Sequence, residues 1–237
     1  MFRAFPQRTK NAIIETMENI VLASASPRRL DFFRLLGLPF VCVPADIDET
    51  LEPGLSPGEV AESLARQKAL TVAGKLGAFI GTAQSVAASN ACASPGATQG
   101  ANADAPPRWV FAADTVVAPE GEILGKPESR EEARRMLERL AGREHRVVTA
   151  MALHDRLTGT TDCRSATCAV EFAPLSPEEI EWYLDTGEWR GAAGGYRLQE
   201  RGGCLVKAVK GHPGAVAGLP LRDFYVMLRD NGYPFGA

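Results

Sequence analysis

Short apolar runs alternate along this chain with segments whose apolar residues recur every three or four positions. Ile20-Val21-Leu22-Ala23 is of the first kind. It is followed by Ser26-Pro27, a capping serine with proline at the first helical position, and then by Leu30, Phe33 and Leu36 before Gly37. Together they predict a strand, a tight turn and a helix. Ser56-Pro57-Gly58-Glu59 reads as a capping box for a helix to about Lys75. Ser129 with Glu132 opens another helix, whose Ala133, Met136, Leu137 and Leu140 share a face, and Ser176-Pro177-Glu178-Glu179 opens a third that ends near Gly187. Trp109 to Ala113, Thr115 to Ala118, Val147 to Leu153, Thr167 to Phe172 and Cys204 to Val209 read as strands. Apolar strands interleaved with amphipathic helices predict an α/β domain with a mixed sheet.

Two segments stand outside this pattern. From Gly81 to Pro107 the residues are almost all Ala, Ser, Gly, Asn, Thr and Pro, which predicts a flexible loop. Composition allows it to be an interdomain linker or an insertion within one domain. Residues 1–18 read as an extension and not an export signal, because Glu15 and Glu18 interrupt any apolar core between the basic residues and Ala23-Ser24-Ala25.

Composition narrows the classes. Hydrophobic residues make up 45% of the 237 positions and charged residues 23%, which excludes a wholly disordered or fibrous chain. Lys and Arg number 26 against 29 Asp and Glu, a net charge of -3, so general binding to nucleic acid is disfavoured. No run approaches the roughly 18–20 apolar residues of a membrane helix. Five cysteines without a CxxC pair suggest neither a disulfide framework nor a zinc cage, and a reducing cytoplasm is the expected location.

Four places could carry chemistry. Arg28 and Arg29 fall in the first turn of the predicted helix after Ser24, where cations are electrostatically misplaced unless an anion sits there too. They read as a phosphate site, or as a solvated surface pair. Asp114-Thr115 ends an apolar run, where a carboxylate is placed to serve a metal or an attacking water, or simply to form a turn. Downstream, Gly121-Glu122-Ile123-Leu124-Gly125-Lys126-Pro127 is a residue too short for a phosphate loop and has Pro in place of Ser/Thr, but Lys126 stays a candidate phosphate ligand beside its reading as a surface lysine. Asp46-Ile47-Asp48-Glu49 could supply carboxylates to a hard cation or form an exposed acidic turn. Fourth, the glycine-rich run from Trp189 to Gly203 is the kind of long loop that often carries binding. His145, His154 and His212 have no metal spacing and read as structural or surface groups, and no GxSxG elbow is present. Cys163, Cys168 and Cys204 lie in strand-like runs and read as packing residues.

Taken in order, the segments resemble the Maf family of nucleotide pyrophosphatases from about Val21 to Leu228. The pieces are Leu22-Ala23-Ser24-Ala25-Ser26-Pro27-Arg28-Arg29, Asp48-Glu49, Arg66 with Lys68-Ala69, Ala113-Asp114-Thr115-Val116-Val117, Gly125-Lys126-Pro127, His145-Arg146-Val147-Val148-Thr149, Gly194-Gly195-Tyr196-Arg197-Leu198-Gln199 and Val216-Ala217-Gly218-Leu219-Pro220. The resemblance implies an elongated mixed sheet with helices around a deep cleft, similar to the inosine-triphosphatase superfamily. It makes residues 19–237 one domain, interrupted by an insertion at about 81–107. It implies hydrolysis of a nucleoside triphosphate to the monophosphate and pyrophosphate with a divalent cation (Mg, Mn or Co), by a cytoplasmic homodimer that binds neither nucleic acid nor membrane. Asp114, Lys126 and Glu49 would be catalytic, with Glu49 and Asp114 also holding the metal. Ser24, Arg28, Arg29, Thr115, Tyr196 and Gln199 would bind substrate, and Arg28, Thr115 and Gln199 would choose the base. Tyr196-Arg197-Leu198-Gln199 resembles the dTTP/UTP branch, the alternatives being the 7-methyl-GTP branch or a non-catalytic, nucleotide-binding regulator of cell division. Two positions depart from the family pattern: Ala192 stands where Lys is usual and Glu200 where Gly is usual.

Overall fold

The computed structural model describes residues 17–49, 54–77 and 107–235. All but the inner ends of the expected N-terminal extension and of the expected insertion lie outside them. In chain order the elements are β1 (Ile20–Leu22), α1 (Pro27–Leu35), β2 (Phe40–Cys42), α2 (Pro57–Gly77), β3 (Trp109–Ala118), α3 (Arg130–Leu140), β4 (Glu144–Asp155), β5 (Thr160–Phe172), α4 (Pro177–Asp185), β6 (Val206–Lys210), α5 (Pro213–Val216) and α6 (Leu221–Asp230). The strands form one mixed sheet in the order β2-β1-β3-β4-β5-β6, parallel from β2 to β3 and antiparallel from β3 to β6. No helix among the described residues is long and apolar enough to cross a membrane.

The caps read from the sequence form. Ser176 accepts from the Glu179 N–H at 3.2 Å while Glu179 accepts from the Ser176 N–H at 2.7 Å, and Ser56 and Glu59 exchange the same two bonds. Ser129 accepts from the Glu132 N–H at 3.1 Å. The α/β class and mixed sheet are as expected.

Three readings need correction. Trp109 to Ala113 and Thr115 to Ala118 are one strand, with Asp114 inside it and not at its end. The polar residue looked like a break because its ionic partner comes from a distant helix. Cys204 is exposed and lies in a short 3-10 segment, Arg201–Leu205, and β6 begins only at Val206. Finally β2, α5 and α6 were not foreseen. A strand of three half-exposed residues is too short to show a period.

Alternation along the strands feeds three apolar clusters. Ile20, Leu22, Trp109, Phe111 and Ala113 pack with α1 and α6 through Phe33, Phe224 and Met227. Val21, Val110, Ala112 and Val116 turn the other way, onto the Val60, Ala61, Leu64, Ala65, Ala69 and Val72 stripe of α2. Farther along the long strands, Val117, Val147 and Phe172 pack with α3 and α4.

Candidate active site

β1 stops at Leu22, opposite Phe111, while β3 runs on to Ala118. On the side that β1 vacates, the next described bridge is Val117 to Leu124. The stretch between opens into a cavity of about 460 Å³, within the usual range for small-molecule sites. The chain leaves β1 for β2 on one flank and returns from β2 to β3 on the other. The cavity therefore lies at a point where the strand order reverses, outside the carboxyl end of β1.

Asp114 and Thr115 both line it, although alternation sends them to opposite faces of the sheet. Asp114 shares its face with Val110, Ala112 and Val116, and there it meets Lys68 of α2. Lys68 sits on the buried stripe of that helix among alanines and valines. Its Nζ binds Asp114 Oδ1 and lies 2.7 Å from Glu49 Oε1, while Lys126 Nζ donates to Glu49 Oε2 at 2.6 Å. Asp114, Lys68, Glu49 and Lys126 thus form a chain of alternating charge. Burial would raise the Glu49 carboxyl, but the bonds from Lys126 and Lys68 outweigh it and hold the group at about 2.

Among the described residues no three His, Cys, Asp or Glu side chains form a metal-binding group. Two carboxylates do converge on a single ammonium. Such a pair suits a hard divalent cation of the magnesium kind, which needs only one or two carboxylates when phosphate supplies further oxygens.

Arg28 and Arg29 have opposite surroundings. Arg29 is buried, with Nε donating to the Gly218 carbonyl at 3.0 Å, Nη1 to Ser24 Oγ at 3.2 Å and Nη2 to Thr115 Oγ1 at 3.2 Å. Burial lowers its pKa to about 10, against the pull of Asp114, so it stays cationic at neutral pH. Arg28 also lines the cavity, but among the described residues it makes no hydrogen bond or ion pair. Burial, and next to it the Arg197 charge, lower its pKa. Ser24 accepts from both the Ser26 N–H and Arg29, which leaves its hydroxyl proton available to the cavity.

The threonines extend this framework. Thr149 Oγ1 donates to the Ala215 carbonyl at 2.6 Å, so in its 2.7 Å contact with Thr115 the latter must donate. Arg29, Thr115, Thr149 and Ala215 form one directed chain that ties α1, β3, β4 and α5 together.

The glycine-rich run closes the far wall. Gly194 has φ +66°, and a Cβ there would lie 2.9 Å from Val117, so only glycine lets this loop reach β3, and its N–H donates to the carbonyl of Gly125, beyond the end of that strand, at 3.0 Å. Tyr196 lines the cavity, and its hydroxyl is committed to His145 Nε2 at 2.9 Å. His145 is buried, as the structural reading expected. Ala192 is fully buried and Ala193 lines the cavity in its stead. Arg197 to Glu200 is a turn in which the Glu200 N–H donates to the Arg197 carbonyl at 3.2 Å. Arg197 and Glu200 line the cavity, Glu200 at its exposed rim, whereas Gln199, at a corner and likewise exposed, does not.

The structure therefore gathers Ser24, Arg28, Arg29, Glu49, Asp114, Thr115, Lys126 and Tyr196 around one cavity and leaves Gln199 outside. Lys68, Arg197 and Glu200 line it without having been named as site residues. A lysine on the apolar stripe of an amphipathic helix was the available signal for the first.

Comparison with known proteins finds relatives along most of the chain. Named relatives include the dTTP/UTP pyrophosphatase of Symbiobacterium thermophilum, 38% identical over 219 residues, covering 92% of this chain and 96% of the relative. That of Myxococcus xanthus is 40% identical over 215 residues, covering 91% and 93%. That of Neisseria gonorrhoeae is 37% identical over 217 residues, covering 92% and 96%. The solved structure of the Staphylococcus aureus Ham1 protein aligns with 66% of this chain and 72% of its own at 17% identity, with a TM-score of 0.39. The family model described as Maf-like protein matches residues 19–231, and with relatives of this identity and coverage the chain belongs to the Maf-like family.

Proposed function

We propose that the chain hydrolyses nucleoside triphosphates, dTTP and UTP among them, to the monophosphate and pyrophosphate. One observation carries the reading: the Arg28 guanidinium, which makes no hydrogen bond or ion pair among the described residues, and the Asp114-Lys68-Glu49-Lys126 chain share one cavity. A triphosphate brings three to four negative charges, and Arg28, Lys126 and the Ser24 hydroxyl face it despite the net acidity of the chain. The names of the relatives favour this branch over the 7-methyl-GTP branch.

In this account Arg28 and Ser24 bind phosphate oxygens, while Arg29 positions Ser24 and Thr115 without contacting substrate. Lys126 and Lys68 neutralise charge on the phosphates. Asp114 accepts the proton of a water whose oxygen attacks the α-phosphorus, and the bond to the β-phosphate oxygen breaks to release pyrophosphate. A divalent cation held by Glu49 and Asp114 would offset phosphate charge as a Lewis acid. The test is product analysis with UTP, dTTP, CTP and GTP in the presence of magnesium, manganese or cobalt. Monophosphate and pyrophosphate are expected; diphosphate and inorganic phosphate would refute the assignment.

A further inference from the structure

The cations that line the cavity differ in what already holds them. Lys68 is taken by Asp114 and Glu49, and Lys126 by Glu49 at 2.6 Å. Arg28 and Arg197 are not held in this way. Arg28 makes no hydrogen bond or ion pair among the described residues, and after burial it is the Arg197 charge that most lowers its pKa. Arg197 Nη2 is anchored on the Arg190 carbonyl at 2.7 Å, while its buried Nε has no partner among the described residues and Nη1 stands 3.4 Å from each Glu200 carboxylate oxygen. A made charge-assisted bond is about 2.7–2.9 Å, so Nη1 keeps its capacity for an anion. Two guanidiniums therefore share one stretch of wall, each within range of the other's charge. Of the nearby carboxylates, Asp31 is bonded to Arg34 at 2.7 Å, and Glu200, whose charge reaches both guanidiniums, sits at the exposed rim.

We propose that Arg28 and Arg197 together hold the two phosphates that leave as pyrophosphate, with Glu200 as the counter-charge that the incoming phosphates displace. The inference rests on the triphosphate reading above and adds Arg197 as the second half of a leaving-group site. In that reading the α-phosphorus lies beside Asp114, where Lys68 and Lys126 also stand. What remains of the substrate is a neutral nucleoside and the charged β- and γ-phosphates. A neutral group leaves the repulsion between two guanidiniums in place, and an anion between them turns it into attraction. The guanidinium fork also matches phosphate oxygens two at a time. When water adds to the α-phosphorus and gives its proton to Asp114, the electron pair of the breaking bond goes to the bridging oxygen of pyrophosphate. Donors already in place there stabilise that charge as it develops. Glu200 offsets the two guanidiniums in the free protein, and its exposure lets it turn to water when phosphate arrives.

Calorimetric titration of inorganic pyrophosphate and, separately, of UMP into the full chain, without divalent cation, tests this apart from turnover. Arg197→Ala should weaken pyrophosphate binding about tenfold or more, the scale of a charged hydrogen bond, and leave UMP within about threefold of wild type. Arg197→Lys keeps the charge without the fork and should fall between the two. Glu200→Gln should tighten pyrophosphate by about twofold to fivefold, the scale of an exposed ion pair. A wild type that does not bind pyrophosphate, an Arg197→Ala variant that loses UMP as much as pyrophosphate or loses neither, or unchanged or weaker pyrophosphate binding in Glu200→Gln would overturn the inference. The two readings fail separately. Hydrolysis of UTP to UMP and pyrophosphate by a chain whose Arg197→Ala variant binds pyrophosphate like wild type sinks only the guanidinium pair, and Arg197-dependent binding of pyrophosphate without that hydrolysis sinks only the reaction.

Discussion

Lys68 Nζ lies 2.7 Å from Glu49 Oε1 and binds Asp114 with the same ammonium. Without it two carboxylates would face one another in a cavity wall where Asp114 is 8% exposed. Removing one partner of such a buried pair costs about 3–5 kcal/mol. Lys68→Met should therefore unfold at markedly lower denaturant than wild type. Magnesium or manganese should raise its melting temperature more than that of wild type, because a cation can take the place of the ammonium between the carboxylates. Equal metal responses in the two proteins would contradict a shared cation site at Glu49 and Asp114.

Arg28 and Arg29 should separate cleanly. Arg29→Ala leaves Ser24, Thr115 and the Gly218 carbonyl without their buried donor, at about 1–3 kcal/mol for each unsatisfied group. A chain of this size loses roughly 2–4 °C per kcal/mol, so the melting temperature should fall by at least about 5 °C. Arg28→Ala gives up no internal bond. It should melt within about 2 °C of wild type and show a KM for UTP raised about tenfold or more, the scale of a charged hydrogen bond. Equal loss of stability in both variants would refute this division.

How much of this was legible beforehand follows from the same residues. Capping serines at 56, 129 and 176 act within one turn of chain, so local sequence reveals them. The two arginines looked alike because only tertiary partners, Thr115 and Gly218, tell them apart. Family resemblance located the Tyr196 to Glu200 stretch, but the phase of its turn put Glu200 and not Gln199 in the cavity, and that phase depends on Gly202 closing against Arg197. Asp114 was found, yet its place within a continuous strand depended on Lys68, 46 residues away.

Acid stability carries a separate signature. Burial holds His145 at about 4 against its ordinary 6.5, so the folded chain resists a proton that the unfolded chain takes up. Its contribution is fully present above about pH 6.5 and is lost as pH falls through 4. Glu49 acts lower: held at about 2 against 4.5, it stabilises the fold above about pH 4.5, and that is lost as pH falls through 2. Urea midpoints measured from pH 7 to pH 4 should decline in wild type and stay flatter in His145→Gln. The same decline in both would show that another group titrates in this window.

The central claim is that water attacks the α-phosphorus of a nucleoside triphosphate in this cavity with Asp114 as proton acceptor. Turnover of UTP in oxygen-18 water, followed by mass spectrometry of both products, tests it most directly. The label should appear in UMP and not in pyrophosphate, and Asp114→Asn should slow its appearance about a hundredfold or more at saturating metal, the scale of a general base. Label in pyrophosphate, formation of UDP, or a near wild-type rate for Asp114→Asn would contradict the account.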